Sequence, residues 1–152
     1  VLCKTMEIFK LSKFNFMSLA NILSRVVLAA TIIWIVVPNL QDTSLVIGYA
    51  QLKGVPLANI LAPFAQVLLG ISSFFILTGI KPKLGLLAFM AFLLGVTPLM
   101  HQWWLLKDFD RMVEMKYFQS NLMLFTLAGI LLSGDTDNWP YTLKWLINPS
   151  RQ

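Results

Sequence analysis

The chain has 152 residues, 57% of them hydrophobic and only 12% charged, with a mean hydropathy of +0.72 and a formal net charge of +5. So few charges exclude an ordinary water-soluble domain, in which about a quarter of residues are charged, and the stretches between apolar runs are too short to hold a soluble catalytic module. The lone Cys3 excludes an intrachain disulfide, a paired-cysteine redox motif and a cysteine-rich metal site.

Asp, Glu, Lys and Arg are missing from four blocks, Val26–Gln41, Gly54–Ile80, Leu84–Leu106 and Tyr117–Gly134. A charge at the centre of a bilayer costs roughly 3 kcal/mol or more. About 20 helical residues at ~1.5 Å each span its hydrocarbon core. The pattern predicts an all-α membrane protein, a four-transmembrane-helix bundle with a short interfacial helix between spans one and two and interfacial terminal segments.

In chain order, residues 1–18 form a basic segment in which Phe9, Phe14 and Phe16 are interspersed with Lys10 and Lys13, suited to a membrane surface. Span one runs from Leu19 to Pro38, where Pro38-Asn39 stops it; no small-x-small cleavage site follows, so it reads as a retained anchor. The connection 39–60 is too apolar for a solvated loop. It predicts a short helix from Thr43 to Leu52, capped by Asp42-Thr43-Ser44 and ended by Gly54-Val55-Pro56. Span two covers Leu57–Ile80, a tight turn follows at Lys81-Pro82-Lys83, and span three covers Leu84–Leu106 with Pro98 in its last third. Lys107–Lys116 reads as a charged loop, Tyr117–Ser133 as a short span four, and 135–152 as an aromatic interfacial tail with Trp139, Tyr141 and Trp145.

The basic residues divide eight against four. Lys4, Lys10, Lys13, Arg25, Lys81, Lys83, Lys144 and Arg151 fall on one side; Lys53, Lys107, Arg111 and Lys116 fall on the other, offset by Asp42, Asp108, Asp110 and Glu114. This asymmetry predicts both termini on the cytoplasmic or equivalent side. The surplus charge is a topology signal facing anionic headgroups, not a nucleic-acid footprint, so membrane lipids are the expected surroundings and no nucleic acid is expected as a partner.

Small residues Gly85, Ala88, Ala91 and Gly95 recur at helical spacing on span three. With Gly70 and Ser73 on span two and Gly129 on span four, they predict close helix packing. Gln66 lies within span two and must find a partner: an interhelical hydrogen bond, or a quinone carbonyl or lipid headgroup. Arg25 near the inner end of span one can snorkel. His101, the only histidine, follows Pro98 and precedes Trp103 and Trp104. It reads as an interfacial anchor or, more sharply, as a contact for a quinone or a proton relay. His101, Gln66, Trp103 and Trp104 are therefore the candidate quinone or lipid contacts. One histidine cannot ligate both faces of a haem, no His/Glu cluster suits a di-iron site, and phosphate loops, dinucleotide fingerprints and metal-ligand spacings are missing. No catalytic residue or metal ligand is therefore assigned.

Arg25, the Gly54-Val55-Pro56 step, the stretch LAPFAQVLLGISSFFILTGIKPKLG from Leu61, His101 with Trp104, and Ser120-Asn121 followed by LMLFTLAGILLSG share their order and spacing with a known layout. Over 19–134 the chain resembles the DoxX-like family of small four-helix membrane proteins. The resemblance implies a four-helix bundle and a bacterial inner membrane rather than an organelle. Named members are membrane subunits associated with oxidoreductases, among them thiosulfate:quinone oxidoreductase and a mycobacterial oxidative-stress complex; a distant relative is a cargo receptor. The chain departs from the family in carrying Gln66 where a Glu is usual, and Trp34, Val36 and Pro38 where a Gly and a Lys are frequent. The expectation is thus an accessory subunit, without covalently bound cofactor, packing against a larger redox or energy-transducing complex. A quinone-interacting subunit is the alternative, followed by a carrier of lipid, small molecules or cargo.

Overall fold

The structure, a computed structural model, describes residues 2–136 together with Trp139, Thr142 and Leu143. Most of the expected aromatic tail, including Tyr141 and Trp145, lies outside the described residues. Among the described residues five α-helices follow one another: α1 Leu2–Gln41, α2 Thr43–Leu52, α3 Ala58–Thr78, α4 Pro82–Met100 and α5 Asp108–Ser133, with a 3-10 turn Trp103–Leu105 between the last two. Among the described residues there is no strand. Three of the described segments are long and apolar enough to cross a membrane, Ser18–Gln41, Ala58–Thr78 and Pro82–Leu105. By length and composition this is a multi-pass membrane protein.

Two boundaries differ from the sequence expectation. The basic segment and span one are one continuous helix, and Pro38 does not stop it. Pro38 falls in the last turn, so it takes one helical donor from the Trp34 carbonyl but no further turns depend on it, and the Asp42 amide still donates to its own carbonyl at 3.1 Å. Lys107–Lys116 is not a loop but almost wholly the start of α5. Asp108 and Asp110 lie in its first turn, where negative charge complements the helix dipole.

α2 occupies the expected Thr43–Leu52. The Asp42 carboxylate accepts from the Leu45 amide at 3.1 Å and from the Ser44 hydroxyl at 2.7 Å. Both bonds favour its charged form and hold it below its ordinary pKa. Gly54, at φ +73°, turns the chain after α2. α2 folds onto α3: Ala50 packs with Ala58 and Ala62, flanked by Val46, Ile47, Val55 and Met100. The Gln51 amide donates to Asn59 Oδ1 at 2.9 Å.

The long helices pack as neighbours in the order α1, α3, α4, α5. Their common core joins Leu28, Ala29 and Ile32 to Leu69 and Ile76, then to Leu86, Phe89 and Leu93, and finally to Ala128 and Leu131. In chain order 28%, 33% and 28% of the most apolar part of these segments is buried within the protein, so most of their residues keep some surface outside its own core. Several hydroxyls on the helices close on backbone. Thr31 and Thr78 each donate to the carbonyl four residues back, as an apolar solvent requires, and Thr126 on α5 does the same. Ser72 donates to the Gly85 carbonyl at 2.6 Å and Ser73 to that of Ala29 at 3.1 Å, tying α3 to α4 and to α1.

The row of small residues on α4 is turned differently from expectation. Its buried row is Leu86, Phe89, Leu93 and Thr97. At about 100° per residue, Ala88, Ala91 and Gly95 lie roughly opposite, and Ala91 and Gly95 are exposed. Large apolar side chains fill the seam, and the small ones face outward. Gly85 is the close contact: a Cβ there would lie 2.9 Å from both Phe75 Cβ and the Ser72 carbonyl. Gly70 and Gly95 have open space at the same position, and Gly129 meets only Met90 Cε at 3.8 Å.

Candidate functional site

At the end of the bundle that carries α2, three charged or ionisable side chains from three elements converge. Lys53 is the C-cap of α2, His101 the C-cap of α4, and Glu114 lies in the second turn of α5. Lys53 Nζ donates to Glu114 Oε1 in a short ion pair, and His101 Nδ1 lies 2.7 Å from Glu114 Oε2. Glu114 is buried, at 8% relative exposure. Burial alone would raise its pKa, but the hydrogen bonds and charges of Lys53 and His101 outweigh that and hold it below the usual carboxylate range. Burial likewise works to lower the Lys53 value, and the bond to Glu114 with help from Tyr49 leaves it raised. The pair is therefore ionised at neutral pH.

An ionised carboxylate only accepts, so His101 Nδ1 carries the proton in that contact and Nε2 is turned away from it. Aromatic rings wall the group. His101 and Tyr117 have ring centroids 5.5 Å apart, Lys53 Nζ lies 5.4 Å from the Tyr49 centroid, and Arg111 stands over Trp103 at 5.4 Å. Trp104 meets Trp103 and Phe118 edge-on at 6.0 and 6.2 Å.

Of the four candidate contacts, His101, Trp103 and Trp104 thus share one end, all held against α5. Gln66 does not join them. It is buried on α3, where its Oε1 accepts from Asn39 Nδ2 at 3.3 Å. Ala62, one turn from Gln66, and Met100, next to His101, both belong to the small apolar cluster under α2. Gln66 thus bonds Asn39, while His101 belongs to the Lys53–Glu114–His101 group.

Glu114 is the site residue that the sequence reading passed over, as one charge among alternating charges. A signal was present: Glu114, Phe118, Asn121, Phe125 and Ala128 follow steps of four and three, and extending the helix upstream places the carboxylate on the inward face. Arg25 also differs from expectation. It does not snorkel but is buried, at 3% exposure, with its guanidinium 5.2 Å from the centroid of Trp139 at the opposite end of the bundle.

Among the described residues no group of three or more His, Cys, Asp or Glu side chains is placed to hold a metal ion. Comparisons with protein-family models, with curated proteins and with solved structures find no match.

Proposed function

We propose that the chain is a four-span, DoxX-like integral membrane protein acting as an accessory subunit that packs against a larger redox or energy-transducing membrane complex. The fourth span would be the apolar part of α5, 117–133, about 26 Å long at ~1.5 Å per residue. α2 would then lie at the interface and both termini on one side. The observation that carries the proposal is how the interior uses its polar side chains. Ser72, Ser73, Asn39 with Gln66, and the Lys53–Glu114–His101 group each tie one element to another. That is the economy of a scaffold. Purification in mild detergent through a tag after Gln152 tests it: stoichiometric co-elution with a large complex is expected, and elution of the chain alone overturns it.

His101 favours a second reading, a quinone-interacting subunit. A carboxylate that fixes Nδ1–H leaves Nε2 as an acceptor for a quinol hydroxyl in the neutral ring, and as a donor to a quinone carbonyl only in the protonated one, and the Trp103–Trp104 wall suits a planar headgroup. Co-purified quinone should be lost in His101→Ala and kept in Gln66→Leu, because Gln66 belongs to a different pair. Unchanged quinone content in His101→Ala removes this reading.

A further inference from the structure

α2 is lightly held. Of its ten residues only Ala50 is buried, seated against Ala58 and Ala62 of α3. Methyl groups bury little apolar area, and few buried apolar contacts mark an element that opens locally. Two polar ties supplement this seat. The Gln51 amide bonds Asn59 at an exposed position on the neighbouring helix. Lys53 reaches further, past the C-cap of α4, to the partly buried Glu114 on α5. On the other side Asp42 alone separates α1 from α2, and its carboxylate bonds run to Ser44 and Leu45, so they travel with α2.

The backbone on both sides of the Lys53–Glu114 tie is bent against its preference. Leu57 and Asp108, each at φ +51°, are the two non-glycine residues in the left-handed region among the described residues. Leu57 ends the connection from α2 to α3, shortly after Lys53 and Gly54; Asp108 opens the helix that carries Glu114. Aspartate can offset that conformation with a local hydrogen bond, whereas leucine cannot. A left-handed leucine persists only where its surroundings hold it.

We propose that α2 is a lid, hinged at residues 54–57 and latched to α5 by Lys53 on Glu114. Release of the latch lets Leu57 leave the left-handed region and lifts α2 from the start of α3. Ala58 and Ala62 are then uncovered. Both lie on the same face of α3 as Gln66, at steps of four, so the opening leads from the end of the bundle towards the Gln66–Asn39 pair. The lid needs neither a fourth span nor a partner complex.

The test is hydrogen–deuterium exchange of the full chain in phosphatidylcholine nanodiscs, read peptide by peptide by mass spectrometry. Lys53→Met removes the ammonium and keeps the Glu114–His101 contact. It should speed exchange of the amides 47–52 about tenfold, the worth of a charged hydrogen bond, and leave α4 and α5 at their wild-type rates. Leu57→Asn suits the left-handed region better and should slow the same amides about threefold by favouring the closed lid. Unchanged exchange of 47–52 in Lys53→Met overturns the latch and the lid with it. Equal acceleration of α2, α4 and α5 means that the pair holds the whole bundle, and this too overturns the lid. Exchange that is indifferent to Leu57→Asn, or faster in it, overturns the hinge.

Discussion

Removing the Glu114 carboxylate would strip two donors of one acceptor. Glu114→Ala leaves Lys53 and His101 without their shared partner, and both are only partly open to solvent. The expected cost is about 2–4 kcal/mol, read as a lower midpoint of thermal unfolding in detergent. Combining Lys53→Met with Glu114→Leu should recover most of that loss, because an apolar replacement leaves no stranded charge. The pH dependence follows from the signs. Glu114 is depressed in the folded chain, so its contribution is complete above the ordinary carboxylate value of about 4.3 and is lost as pH falls through the folded value. Lys53 is raised, so its contribution is complete below about 10.4 and is lost as pH rises through the folded value. Unfolding midpoints should therefore show a plateau between about pH 5 and 10, and Glu114→Gln should flatten its acid edge. A variant with an unchanged acid edge would remove Glu114 from this role. His101 was visible in the sequence as a lone imidazole beside Pro98 and two indoles. Its partner was not, because sequence separation hides a pairing between the ends of three helices.

Packing at the level of helices is sharpest at the glycines of α4. Gly85→Ala places a Cβ 2.9 Å from Phe75 Cβ and the Ser72 carbonyl, and is expected to cost about 1–3 kcal/mol. Gly95→Ala meets nothing within 4 Å and should stabilise by about 0.5–1 kcal/mol through helix propensity alone. Equal effects in unfolding assays would mean that α4 is rotated from the orientation described. Gly79, at φ +67°, ends α3 in the left-handed region. Gly79→Ala adds both backbone strain and a collision with the Thr142 side chain, so a loss of about 1–3 kcal/mol is expected. Helical spacing alone suggested that Gly85, Ala88, Ala91 and Gly95 form one packing face. Gly85 lies against α3 whereas Ala91 and Gly95 are exposed, because periodicity gives the spacing of a face and not the direction it points. In lipid, a bulky apolar face and a small one are both compatible with either side.

At the scale of the whole molecule, the side of the membrane that holds the C-terminus tells whether α5 completes a fourth crossing. With Cys3→Ser as background, four spans place Gln152→Cys on the same side as Lys81→Cys and opposite Lys107→Cys; three spans place it with Lys107→Cys. Labelling by an impermeant maleimide in sealed, oriented vesicles separates the two. The amino-acid sequence by itself determined that the chain is helical and membrane-bound, because charge-free length is a solvent constraint that acts on each segment independently. It also marked α2 through Asp42 and Gly54, whose capping and turning act over a few residues. Tertiary structure decided what depends on two segments at once: that Arg25 and Trp139 bury each other, and that Gln66 pairs with Asn39. It also decided that Lys53, His101 and Glu114 form one group. Each of these is a contact between residues far apart in sequence, and its stability comes from removing both partners from solvent together, a quantity that no single segment carries.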